Sequence, residues 1–110
     1  QKLSAADPSD AETQRDLAIS YGKLGDVQRQ SGKVTEALGS YQKGWEICQK
    51  LSASDPSDAR ALRDLFVSYS KLGNLQLQSG QVTESLRSYQ QGLDISQKLA
   101  AADPSDSQAL

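Results

Sequence analysis

The side chains able to carry chemistry in this chain are carboxylates, a single thiol and four tyrosines. Over residues 1–48 the acids are Asp7, Asp10, Glu12, Asp16, Asp26, Glu36 and Glu46. Paired carboxylates do acid–base work when their surroundings push their pKa values apart. Most of these acids return 48 residues later, however, and recurrence in every unit marks a structural task. No catalytic residue is assigned and no enzyme is expected. There is no histidine, so the commonest general base and the commonest transition-metal ligand are both missing. With Cys48 alone there is no zinc set, no GxxxxGK[ST] and no GxGxxG, so no metal or cofactor is expected. Cys48 lies between Ile47 and Leu51, and its counterpart is Ser96. It reads as a small, partly buried side chain, because a reactive thiol needs a neighbour that lowers its pKa. Tyr21, Tyr41, Tyr69 and Tyr89 could be taken for a base-stacking ladder. They lack the surrounding Lys and Arg that phosphates require and sit at helix-packing spacing instead.

Composition narrows the partners. The 110 residues carry a net charge of −2 with no basic stripe, which argues against nucleic acid and against an anionic membrane surface. No apolar run approaches the roughly 18 residues that a membrane span needs. With no signal peptide either, the cytoplasm is the expected location. The chain opens with Gln in the middle of a repeat and reads as a piece of a longer protein.

The elements that position these side chains are repeats. Asp7-Pro8-Ser9-Asp10 returns as Asp55-Pro56-Ser57-Asp58 and as Asp103-Pro104-Ser105-Asp106, 48 residues apart each time. Residues 1–48 align with 49–96 without gaps, and 31 of the 48 positions are identical. A period in this range points to an array of stacked units. The divisions are the end of a preceding helix over 1–6, a first repeat over 7–54, a second over 55–102 and the start of a third over 103–110.

Within a unit the apolar spacing is helical. Leu17, Tyr21 and Leu24 form one stripe, repeated by Leu65, Tyr69 and Leu72. Leu38, Tyr41, Trp45 and Cys48 form another, mirrored by Leu86, Tyr89, Leu93 and Ser96, with Ile47 and Leu51 widening it. Steps of three and four place each set on one helix face, which makes it a core stripe. This predicts an A helix over 8–31 and a B helix over 35–54. The second pair is predicted over 56–79 and 83–102, with a stub from 104. Gly32 and Gly80 suit the left-handed conformation that ends a helix, with Thr35 and Thr83 as caps for the next. At the DPSD breaks Asp7 can cap a helix with Pro8 in its first position, although Ser9 and Asp10 compete for that role. The short A–B connection makes A and B antiparallel.

These residues resemble the tetratricopeptide repeat, a helix–turn–helix unit of about 34 residues. Tyr21 looks like its first aromatic and Leu24-Gly25 like its Leu-Gly pair. Gly32 falls at its turn, Ala37 and Gly44 at its small positions, Tyr41 at its second aromatic and Pro56 at its closing proline. Unit 2 offers Tyr69, Leu72-Gly73, Gly80, Ser85, Tyr89, Gly92 and Pro104. The period is longer here by about seven residues at the start of helix A and about seven at the end of helix B, close to two turns each. Gln28 and Gln76 stand where the family commonly has an aromatic, and Gly44 and Gly92 where it has alanine. Long-helix variants of this kind are similar to repeats in large bacterial multidomain proteins.

The resemblance implies an all-α fold, an α-solenoid of antiparallel helix pairs in a right-handed superhelix, with A helices lining a concave groove. The groove stripe would hold Glu12, Arg15, Ile19, Gly22, Asp26 and Arg29 in unit 1. In unit 2 it would hold Arg60, Arg63, Val67, Ser70, Asn74 and Leu77. Arg15 and Arg63 beside Asp16 and Asp64 read either as solvated or inter-repeat ion pairs or as groove cations meeting an acidic partner. The family's carboxylate clamp maps onto Gly22 and Asp26, which offer no cation, so no such clamp is expected. The expected role is a non-catalytic protein-interaction scaffold. It would bind a protein or peptide segment of mixed basic and apolar character in a mildly acidic groove. The alternative is structural self-association, with uncapped repeats stacking head to tail into a homo-oligomer.

Overall fold

A computed structural model describes residues 8–102. They form α1 (Pro8–Gln30), α2 (Val34–Ser54), α3 (Ala59–Gln78) and α4 (Val82–Ala102), and no strand occurs among the described residues. Each helix packs on the next in sequence. The helix expected over 1–6, the cap at Asp7 and the third DPSD lie outside the described residues.

The turns inside each pair follow from one residue. Gly32 and Gly80 adopt φ of 79° and 85°, a region that costs other L-residues free energy. The Lys33 N–H reaches the Gln28 carbonyl at 2.8 Å and Gly32 the Arg29 carbonyl at 3.1 Å, and Gln81 and Gly80 repeat both bonds. This is a Schellman closure, which satisfies the last carbonyls of the helix. It leaves no room for the expected cap. Lys33 serves both as the end of this motif and as the residue before α2, so Thr35 lies inside the helix and α2 has no side-chain cap.

The DPSD segment between the pairs shows which of the competing residues caps. Asp58, not Asp55, caps α3, accepting from the Arg60 and Ala61 N–H groups at 3.0 and 3.2 Å. Asp55 ends α2, and its carboxylate accepts from Ser57 N–H at 3.2 Å and Ser57 Oγ at 2.8 Å. A bond of 3.0 Å from the Asp58 N–H to the Asp55 carbonyl closes a four-residue turn with Pro56 in its second position, where a fixed φ is favourable. The helix therefore begins at Ala59 rather than 56.

Glycine also sets how closely the partners in a pair approach. A Cβ on Gly25 would lie 2.5 Å from the Tyr41 ring, and one on Gly73 would lie 2.7 Å from the Tyr89 ring. Each tyrosine thus lies flat against the backbone of its own A helix. Ser40 and Gln28 are joined 2.6 Å apart, and Ser88 and Gln76 2.7 Å apart. A hydrogen-bonded serine–glutamine pair thus joins the two helices at the same level in both units.

The core has two clusters. Ala37, Tyr41, Leu72 and Leu75 form one, while Ala18, Cys48, Leu65 and Ile95 form the other, and Trp45 packs against both. The expected stripes are only partly buried. Leu72 is 5% exposed, but its counterpart Leu24 is 47% exposed; Leu75 is 0% exposed and Val27 61%. Leu17, Leu86 and Leu93 are likewise exposed. The cause is position among the four helices. These stripes face the neighbouring pair, and among the described residues the one junction between pairs is α2–α3. Positions that face within a pair, such as Ala37 and Ser85 or Ser40 and Ser88, are buried in both copies.

Candidate partner-binding cleft

α1 and α3 lie side by side and meet through long side chains. Arg15 is bidentate on Asp64, at 2.7 and 3.3 Å. Lys71 donates to both oxygens of Asp26, at 2.9 and 3.0 Å. Arg60 pairs with Glu12 at 2.5 Å. The recurring Arg-Asp pairs therefore include an ion pair between repeats, and Arg15 is engaged rather than waiting for a partner.

Between the Arg15–Asp64 and Lys71–Asp26 bridges lies a hollow of about 320 Å³. Its sides carry Ile19 and Gly22 from α1 and Val67 and Ser68 from α3. Its floor is Ala18 of α1 with Tyr41, Gly44 and Cys48 of α2. Gly44 makes the floor possible, since a Cβ there would already sit 3.2 Å from the Ala18 carbonyl oxygen. Three basic side chains (Arg15, Lys23, Lys71) and two carboxylates (Asp26, Asp64) line it, so this part of the groove is not acidic. A second hollow of about 490 Å³ continues beyond Arg15–Asp64, over Ile47 and Leu51 of the same α2 face. There Asp10, Glu12, Asp55, Asp58 and Asp64 outnumber Arg15, Lys50 and Arg60, and the expected acidic character holds.

Asp26 is the most connected group. Tyr41 donates its hydroxyl to Asp26 at 2.5 Å, Lys71 lies 5.6 Å from the Tyr41 ring centroid, and Arg29 donates to the Tyr41 oxygen at 3.4 Å. Burial alone would raise the Asp26 carboxyl. Hydrogen bonds from Tyr41 and Lys71 outweigh it and hold the group below its ordinary value. Burial and the Asp26 bond push the Tyr41 hydroxyl up. Burial also raises the Cys48 thiol, which keeps it protonated at neutral pH.

Arg15, Ile19, Gly22, Asp26 and Val67 line the first hollow, whereas Arg29, Arg63, Ser70, Asn74 and Leu77 do not. The division is geometric. Two parallel helices enclose a cleft with opposite flanks, so α1 presents its offset stripe while α3 presents Asp64, Val67, Ser68 and Lys71. Asn74 instead bonds the Tyr89 hydroxyl, repeating the Asp26–Tyr41 arrangement, and Leu77 is exposed. Lys71, Asp64, Lys23 and Ser68 were missed by a stripe drawn on one face. The available signal was the i, i+7 spacing of Asp64 and Lys71, opposite Arg15 and Asp26 at i, i+11.

No protein-family model, no curated protein and no solved structure matches this chain. No helix among the described residues is long and apolar enough to cross a membrane.

Proposed function

We propose that this chain is a tetratricopeptide-like α-solenoid segment with a right-handed superhelix, and that it works as a non-catalytic docking scaffold. The partner is an extended or helical segment of another protein lying along the α1–α3 groove. An apolar side chain of that segment enters the first hollow, and a basic residue reaches the acidic second one. The observation that carries this reading is the exposed pair Ile19 and Val67, set over a floor from a third helix and framed by two ion pairs. A pocket of this volume, with an apolar floor and charged groups held in fixed positions around it, is a form that recognition sites take. A scaffold also suits the chemistry present, since both carboxylates of the first hollow are neutralised by cations and the only thiol is buried and protonated.

Selection from a displayed random-peptide library tests the reading. Recovered peptides are expected to share an apolar anchor next to a basic residue and to shift the amide resonances of Ile19 and Val67. Ile19→Asp and Val67→Asp, both at exposed positions, are expected to abolish binding, while Leu93→Glu on α4 leaves it intact. Peptides that bind Ile19→Asp and Val67→Asp as well as the parent chain would refute the cleft.

A further inference from the structure

We infer that the outer faces of α4 and α1 are complementary docking surfaces, and that they take a second copy of this chain head to tail. This goes beyond the groove reading and does not depend on it. The internal α2–α3 junction supplies the template. α2 offers Leu38, Tyr41 and Trp45 there, and α3 offers Leu65, Leu72 and Leu75. Moved by one 48-residue unit, the α2 set becomes Leu86, Tyr89 and Leu93 on α4, and the α3 set becomes Leu17, Leu24 and Val27 on α1. All six of these are exposed. Each outer face therefore carries, in the same order along its helix, the apolar residues that its counterpart buries inside the molecule.

Charge agrees with the same register. The internal junction is crossed by Arg15–Asp64, Glu12–Arg60 and Asp26–Lys71. Shifted by one unit, these become Arg63 against Asp16 of the second copy, Arg60 against its Glu12, and Asn74 against its Lys23. Two of these positions keep opposite charges, the Glu12–Arg60 position with its signs exchanged between the two sides and with both residues also paired inside their own copy. The third becomes an amide facing a lysine, and none of the three brings like charges together. The contact is smaller than the internal one, since Leu93 replaces Trp45 and Val27 replaces Leu75. Because the two faces differ, the contact is heterologous and does not close on itself with two copies.

Sedimentation velocity over a wide concentration range is the primary test. Average mass is expected to rise with concentration and to pass the dimer without a plateau. Leu24→Glu with Val27→Glu blocks the α1 face, and Leu86→Glu with Leu93→Glu blocks the α4 face; each variant alone is expected to be monomeric. An equimolar mixture of the two is expected to form a dimer and nothing larger, because each contributes one intact face. The exposed single change Asp16→Arg is expected to weaken association of the chain at least about tenfold by turning an attraction into a repulsion, with helical content unchanged. A monomer at every concentration, a mixture that stays monomeric, or Asp16→Arg associating as the parent chain does would overturn the inference.

Discussion

Tyr41 and Tyr89 are 48 residues apart, each lying against the glycine of its own A helix. Tyr41 is 4% exposed, lies beneath Lys71 and donates to a carboxylate; Tyr89 is 38% exposed and donates to the amide oxygen of Asn74. The local contact is the same, and the difference comes from α3, which covers the outer face of α2, whereas no helix among the described residues covers the corresponding face of α4. In this molecule a residue's energetic weight follows from the helix next to its own as much as from its type.

The sharpest way to break that comparison is to truncate matched pairs. Leu75→Ala is expected to cost roughly 2–5 kcal/mol as a fully buried large-to-small change. Val27→Ala, at the equivalent exposed position, is expected to stay within about 0.5 kcal/mol. Chemical denaturation measures both, and equal losses would mean that burial between the helix pairs does not control stability.

Gly25→Ala comes next. Its new Cβ must displace the Tyr41 ring, which α3 holds in place, so a loss of about 1–3 kcal/mol is expected. Gly73→Ala meets the freer Tyr89 ring and is expected to lose less. A larger loss for Gly73→Ala would reverse the assignment of which tyrosine is confined.

Removing one hydroxyl probes the smaller difference. Tyr41→Phe loses a bond to a partly solvated carboxylate and is expected to cost about 1 kcal/mol. Tyr89→Phe loses a bond to an amide in a more exposed setting, and a smaller thermal shift is expected.

The smallest effect is in pH. The Asp26 carboxyl titrates below its ordinary value in the folded chain. The stability it contributes is therefore complete above the usual carboxylate pKa and is lost as pH falls through the lower folded value. Asp26→Asn, which makes unit 1 like unit 2 at this position, is expected to flatten the acid limb of a stability–pH curve. Tyr41 acts at the other extreme. Its raised hydroxyl contributes fully below the ordinary tyrosine pKa, and that contribution is lost as pH rises through the folded value. An unchanged acid limb in Asp26→Asn would show that the Tyr41–Asp26–Lys71 contact adds nothing to folding.

The helices and their order were legible in the chain because local rules write them. Apolar steps of three and four appear in all four helices, and Gly32 and Gly80 stand where a left-handed residue is needed. Cap choice was less legible, because Asp55 and Asp58 are both good caps and a tight turn between them divides the roles. The cleft was half legible. Arg15, Ile19, Gly22 and Asp26 lie on the flank that a single-helix stripe identifies, but Lys71 and Asp64 come from the opposite flank of a helix 48 residues on. Only the packing angle of α3 brings them in.

Sequence alone determined the period, the helical faces and the turns between them, because these depend on contacts within a few residues along the chain. Tertiary structure decided which of two identical leucines is buried, which aspartate caps α3 and which cations bridge α1 to α3. Those outcomes depend on whether another helix lies alongside, and repeated residues such as Leu24 and Leu72 look the same in sequence whether it does or not.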